Sequence, residues 1–176
     1  VRQNGTEGLH SRIRSQGIIN HLHEYLKQEF IRNGVDPAKI YPRAGATSPE
    51  LGLFGYLKRK SQDITILPCG PNPSSTETVE TGVCSGKKDP IGLNNMNSGI
   101  SINVRSQLSS LAKNFDTLFE RTFAEPLNLH LRATNLIMGE VYMVPLVAYD
   151  DRATKERRVA WREKLPARLY IPSFKM

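Results

Sequence analysis

A change of hydrophobic period in the middle of the chain constrains the fold more than any other sequence feature. First, Ile100, Ile102 and Val104 alternate with polar residues, a period of two that predicts a half-buried β-strand. Apolar residues then recur every three or four positions from Leu108 to Phe123, which predicts an amphipathic helix. Serines at the join suit the start of a helix, because their side chains accept backbone N–H groups. A strand that feeds directly into a helix is also a good place for a functional site.

Other periodic segments complete a mixed pattern of helices and strands. Further helices are expected at residues 17–33 and 48–60, and further strands at residues 62–67, 137–149 and 168–171. The first helix should end at Gly34, which adopts the left-handed conformation easily. The second should begin with Ser48 and Pro49, which suit the first positions of a helix. The long central helix should end or kink near Pro126, because the residue before a proline disfavours the helical region. A strand, a helix and a strand in this order predict a crossover connection in an α/β domain.

The length of 176 residues and a hydrophobic content of 39% are sufficient for a single domain, residues 1–176, with a substantial core. Residues 1–16 are polar and show no periodicity, so they are interpreted as a leader. Residues 69–99 are rich in Pro, Gly, Ser and Asn and predict a long loop or hairpin insertion, which in a compact domain is either functional or disordered. The chain opens on Val1 and still shows a strand pattern near its end, so it can be a piece of a longer protein.

The charge balance favours a polyanionic partner. Lys and Arg number 24 against 17 Asp and Glu, a formal net charge of +7, and basic domains commonly bind nucleic acid. A basic protein without such a partner remains the alternative. Because no run of about eighteen apolar residues is present, no membrane span and a cytoplasmic location are expected. Cys69 and Cys84 lack zinc-site spacing, so free thiols are expected and a disulfide stays open.

Several of these features together resemble the restriction-endonuclease-like, or PD-(D/E)xK, superfamily. Asp63 opens one strand, the next strand carries polar residues on one face and ends at Gln107, and an amphipathic helix and a further strand follow. The family signature places an Asp on one strand and Glu-x-Lys or Asp-x-Lys on the next. In this chain Asn103 stands at the position of the second acid and Arg105 at that of the lysine. The resemblance covers residues 17–149 and implies a restriction-endonuclease-like core, with a central mixed β-sheet flanked by helices.

This resemblance implies a type II restriction endonuclease, which hydrolyses phosphodiester bonds in double-stranded DNA with Mg²⁺. Carboxylates are the ligands that Mg²⁺ prefers, so Asp63 would bind the metal with help from Glu120 or Glu50. Asn103 would offer a neutral carbonyl oxygen. Arg105 would hold the scissile phosphate, since its pKa above about 12 prevents it from acting as a base. A homodimer is expected, because a palindromic site requires two-fold symmetry.

Basic and amide side chains elsewhere are expected to contact DNA: Lys58, Arg59, Lys60, Lys87, Lys88, Gln107, Arg157 and Arg158. For residues 58–60, charge in the last turn of a helix is an equally good explanation. For Glu120, the alternative is a solvated residue paired with Lys113 or Arg121. Because Asn103 and Arg105 replace the acid and the lysine, a catalytically inactive nucleic-acid-binding domain of the same fold is the main alternative function. A partner-binding α/β domain without any nucleic-acid role is a third.

Overall fold

The computed structural model describes residues 16–74, 77–106 and 111–143, with the backbone but not most side chains at 111–119. The expectations for the leader at residues 1–15, for Gln107, Arg157 and Arg158, and for the strand at 168–171 lie outside these described residues.

The described chain contains three α-helices and six strands. In chain order they are α1 (Gly17–Arg32), β1 (Ile40–Tyr41), β2 (Leu51–Phe54), β3 (Arg59–Gln62), β4 (Ile64–Ile66), α2 (Leu93–Asn97), β5 (Ile100–Ser106), α3 (Leu111–His130) and β6 (Ile137–Met143). A short 3₁₀ helix, Pro37–Lys39, precedes β1. Helix α1 matches the first predicted helix, and Gly34 follows it with φ of 91°.

A mixed four-stranded sheet with the order β1-β4-β5-β6 forms the centre of the described fold. Strands β5 and β6 are parallel, while the pairs β1–β4 and β4–β5 are antiparallel. The predicted crossover is therefore confirmed, because α3 connects the two parallel strands, and so is the mixed α/β class. Strands β2 and β3 form a separate antiparallel ribbon.

The prediction of a helix at residues 48–60 is wrong. Residues in this segment form β2, the turn of the ribbon and the start of β3, in which Leu53 pairs with Lys60 and Phe54 with Arg59. The spacing of the apolar residues is compatible with a helix as well as with a strand: Leu51, Leu53, Phe54 and Leu57. In the folded chain Leu53 and Phe54 are both buried. Lys58, Arg59 and Lys60 consequently lie in a turn and a strand, so a helix dipole does not explain their charge.

Helix α3 continues through Pro126 to His130 instead of ending there. The residues after the proline are held by tertiary contacts, because Leu129 is fully buried and Asn128 is nearly so. Tertiary packing outweighs the hydrogen bond that a proline removes from a helix. Within the segment 69–99, Thr78 bridges to Lys88 in an antiparallel hairpin, and helix α2 follows it, an element that the sequence pattern did not predict.

Hydrophobic clusters cover both sides of the central sheet. One cluster places Ile40, Ile64, Ile66 and Val104 against the apolar face of α1. The other is built from Leu53, Leu67, Ile91, Met96, Leu129, Ala133 and Leu136. Burying each such side chain stabilises the fold by roughly 1.5–3 kcal/mol. Cys69 is exposed, Cys84 is buried, and both are free thiols. No helix among the described residues is long and apolar enough to cross a membrane.

Candidate functional site

Asp63 lies at a bend where the chain leaves the ribbon after Gln62 and enters the central sheet at Ile64. Its Oδ2 accepts the backbone N–H of Val104 on β5 at 2.6 Å. The neighbouring Gln62 accepts a hydrogen bond from Ser101 on the same strand at 2.7 Å. A carboxylate at the start of an apolar strand needs a hydrogen-bond partner, and Asp63 has one in the backbone N–H of Val104. Its position is therefore firmly determined.

Glu50 is the candidate acid that the fold brings within electrostatic reach of Asp63. The pKa of Glu50 is raised by partial burial and by the negative charge of Asp63. Neither carboxylate forms an ion pair with a cation in the described part of the chain. A like charge within reach disfavours the ionised form of a carboxylate, and a bound cation would reverse that effect.

Helix α1 contributes His23, which lies within electrostatic reach of Asp63, and Lys27. The Nε2 of His23 is buried and has no hydrogen-bond partner among the described residues. Burial lowers the pKa of His23, the charge of Asp63 raises it, and that of Lys27 lowers it further. Lys27 donates to the carbonyl oxygens of Ala46 at 2.6 Å and Arg43 at 3.3 Å. It therefore ties the loop that precedes Glu50 to the helix.

Asn103 and Arg105, which occupy the positions of the family's acid and lysine, belong to a separate polar cluster. Asn103 lies opposite Glu140 in the parallel register of β5 and β6. Its Nδ2 donates to Glu140 Oε1 at 2.8 Å, and Arg105 Nε donates to Glu140 Oε2 at 2.8 Å. Arg105 Nη2 donates to Glu125 Oε2 at 2.6 Å, and Lys60 Nζ lies 2.8 Å from Glu125 Oε1. The cluster joins β3, α3, β5 and β6.

Two cations and two carboxylates neutralise each other in this cluster. Burial lowers the pKa of Arg105, but the hydrogen bonds and charges of Glu140 and Glu125 outweigh it, so the pKa is raised above its usual value. Burial likewise raises the pKa of Glu125, but Lys60 and Arg105 outweigh it and the pKa is lowered. Arg105 is therefore permanently charged, which excludes a role as a base, and its Nε and Nη2 are bound by carboxylates.

Glu120 is exposed on α3 and forms no hydrogen bond or ion pair with any described residue, Asp63 included. The acid that α3 directs inward is Glu125, which reaches Arg105. Thr122, Glu125 and Leu129 follow one another at three and four residues, so they lie on one helix face. That spacing is the signal that could have identified Glu125.

Glu140 was also missed, because its role depends on pairing. Only the parallel register of β5 and β6 brings it opposite Asn103. The sequence indicates a polar residue within a strand but not the residue it faces.

Expected DNA contacts divide into two groups. Lys58, Arg59, Lys87 and Lys88 are exposed, whereas Lys60 is engaged by Glu125. Within the ranges that the structure covers, no three His, Cys, Asp or Glu side chains are grouped so that they could hold a metal ion. No protein-family model matches the chain, and no curated protein or solved structure is significantly similar to it.

Proposed function

We propose that this protein is a Mg²⁺-dependent DNA endonuclease of the type II restriction class. It would hydrolyse phosphodiester bonds in double-stranded DNA as a homodimer, on a restriction-endonuclease-like core. The observation that supports this proposal is that Asp63, held by the N–H of Val104, lies within electrostatic reach of a second acid, Glu50. Asp63 stands at the bend before its strand, where the resemblance requires the first acid.

These two residues fit a magnesium ion by their chemistry. Mg²⁺ is usually held by one or two carboxylates together with water and substrate phosphates, so a third protein ligand is not required. Burial and, to a smaller extent, the charge of Asp63 raise the pKa of Glu50, and a divalent cation would favour the ionised form of both carboxylates. When bound, Mg²⁺ would neutralise charge on the phosphate and lower the pKa of a bound water.

The chain's own residues would orient the substrate. The N–H of Val104 holds the Asp63 carboxylate in place, and Lys27 holds the loop before Glu50. Asn103 uses its amide nitrogen to bind Glu140, and its Oδ1 accepts no hydrogen bond from a described residue. Arg105 uses Nε and Nη2 for its carboxylate partners, which leaves Nη1 for a phosphate oxygen.

The ion-pair cluster favours a second candidate function, a catalytically inactive nucleic-acid-binding domain of the same fold. Asn103 and Arg105 are both bonded to Glu140, so the pair that replaces the family's acid and lysine acts in stabilising the sheet. In that case the carboxylates Asp63 and Glu50 would have no catalytic role.

A plasmid assay with Mg²⁺ separates these functions. Wild type should produce discrete fragments. Asp63→Asn and Glu50→Gln should each reduce cleavage by more than about 100-fold. That loss exceeds the roughly 10-fold to 100-fold loss typical of residues that only hydrogen-bond to a metal ligand. Glu120→Gln is the matched control and should cleave like wild type, because Glu120 is exposed and has no contact with either acid among the described hydrogen bonds and ion pairs.

The other outcomes are equally informative. DNA binding that weakens with salt but occurs without cleavage would support the inactive domain. Equal loss of cleavage in Glu120→Gln and Asp63→Asn would replace Glu50 by Glu120 as the second acid. A wild-type protein that neither binds nor cuts DNA at low salt would refute both functions.

A further inference from the structure

Two hairpin turns lie against each other at one surface of the described fold. The first is the β2–β3 turn, residues 55–58, and the second is the turn at residues 82–87 of the Thr78–Lys88 hairpin. The carbonyl oxygen of Tyr56 accepts the N–H of Val83 at 2.7 Å. Gly82, with φ of 80°, makes this contact possible, because a Cβ there would lie 2.1 Å from the same oxygen.

A small core and a buried ion pair join the two hairpins into one rigid unit. Phe54 from β2 packs with Val79 and Cys84 from the second hairpin. Arg132 donates to the carbonyl oxygen of Phe54 at 3.0 Å and to Asp89 at 2.6 Å. Both Arg132 and Asp89 are buried, so this bridge crosses from one hairpin to the segment that follows the other. A buried pair of this kind is costly to break.

The side chains that this unit exposes are apolar and basic. Tyr56, Leu57 and Val83 are 39%, 54% and 74% exposed. Lys58, Arg59 and Lys87 are exposed as well. We call these six residues the double-hairpin surface. Arg59 is preorganised, because its Nε donates to the Gly52 carbonyl at 3.2 Å and its guanidinium lies 5.3 Å from the Phe54 ring centre.

Two glutamates in and beside the second hairpin line a cavity rather than the double-hairpin surface. Glu77, Glu80 and Arg132 line this cavity of about 260 Å³, and no residue of the double-hairpin surface does. Lys58, Arg59 and Lys87 form no ion pair with a carboxylate among the described residues.

We infer that the double-hairpin surface enters a groove of double-stranded DNA. In this arrangement Lys58, Arg59 and Lys87 bind phosphates, and Tyr56 and Leu57 pack between the backbones. The major groove admits a two-stranded β-ribbon, and phosphate contacts position a protein on the duplex. The inference rests on the proposed function and specifies which element of the protein holds the DNA.

Charge complementarity selects DNA rather than a protein partner. The surface combines three cations with one aromatic residue, in a chain of net charge +7. A rigid unit also loses little conformational entropy when it binds, which favours affinity. The apolar side chains alone would also suit a second copy of the chain, so that occupant is tested as well.

The test measures binding of a synthetic DNA duplex by fluorescence anisotropy over a range of salt, in EDTA so that no cleavage occurs. Each phosphate contact contributes about 0.9 to the slope of log affinity against log salt. Lys58→Ala combined with Lys87→Ala should therefore reduce the slope by about 1.8. Tyr56→Ala should weaken binding about 5-fold to 10-fold at an unchanged slope, at the lower end of losses for aromatic contacts. Lys39→Ala, an exposed lysine outside this surface, is the control and should match wild type.

A double variant with the wild-type slope would overturn the inference, provided that wild type binds and cuts DNA, and the proposed function would then survive. If wild type neither binds nor cuts, the proposed function fails as well. Leu57→Ala combined with Val83→Ala tests the other occupant by analytical ultracentrifugation. Loss of self-association in that variant, with DNA affinity unchanged, would make the surface a contact between copies and refute the inference. All these positions are exposed, and unchanged melting temperatures would verify that each variant is folded.

Discussion

Glu125 is the carboxylate whose removal should cost the most stability in the ion-pair cluster. Glu125→Gln removes the charge that binds Arg105 at 2.6 Å and Lys60 at 2.8 Å. The side chains of Glu125 and Arg105 are only 13% and 17% exposed, so their bond should keep the roughly 1.5–3 kcal/mol typical of charged groups. Lys60 is 31% exposed, which reduces its share to about 1 kcal/mol.

The amide of the variant would recover part of this loss. Its carbonyl oxygen can still accept one weaker hydrogen bond, worth about 1 kcal/mol. The net destabilisation is therefore about 1.5–3 kcal/mol. At 2–4 °C per kcal/mol for domains of this size, the melting temperature should fall by roughly 3–12 °C.

Urea unfolding monitored by circular dichroism measures this difference. Glu120→Gln, on the same helix but exposed, is the matched control and should remain within about 0.5 kcal/mol of wild type. A double-mutant cycle with Lys60→Met should return a coupling energy near 1 kcal/mol. If Glu125→Gln and Glu120→Gln unfolded at the same urea concentration, the cluster would not stabilise the fold and the reasoning would be refuted.

The same variant predicts a dependence on pH. The lowered pKa of Glu125 in the folded protein means that its stabilisation is complete above the ordinary value of 4.5 and is lost as the pH falls through the folded value. The difference in free energy of unfolding between wild type and Glu125→Gln should therefore be constant from about pH 6 to 8 and shrink below about pH 4.5. A difference that grew on acidification would contradict the assignment.

Two further substitutions test the β2–β3 turn. Asn128→Ala should destabilise the protein by about 2–3 kcal/mol in urea unfolding, because the Asn128 side chain accepts two backbone N–H groups of the turn and donates to one carbonyl oxygen. Asn135→Ala, at an exposed position, is its control, and equal unfolding midpoints would show that these hydrogen bonds do not stabilise the turn. Gly82→Ala should lower the melting temperature more than Gly86→Ala, because both glycines have positive φ but only Gly82 lies against the Tyr56 carbonyl. Equal decreases in melting temperature would mean that backbone strain alone determines the destabilisation.

Periodicity alone was sufficient for the elements that bury one continuous face. The alternation of Ile100, Ile102 and Val104 reports a strand whose apolar side packs on α1. The glycine that follows α1 and the Asp that heads β4 are read from single residues with strong local preferences. Residues close in sequence determine these features, so they can be predicted from the sequence alone.

Tertiary structure decided which residues meet. Residues 48–57 form a ribbon because β3 supplies a pairing partner for Leu53 and Phe54, and local patterns do not report such partners. Glu140 faces Asn103 only in one parallel register, and Glu125 reaches Arg105 only because α3 crosses beside that strand. Hydrogen bonds and charge pairs act over a few ångströms between residues that are 20 or more positions apart. The sequence by itself therefore determined helix α1, the strand β5 with the helix after it, and the acid at the bend. The folded chain determined the β2–β3 ribbon, helix α2 and the partners of each polar group.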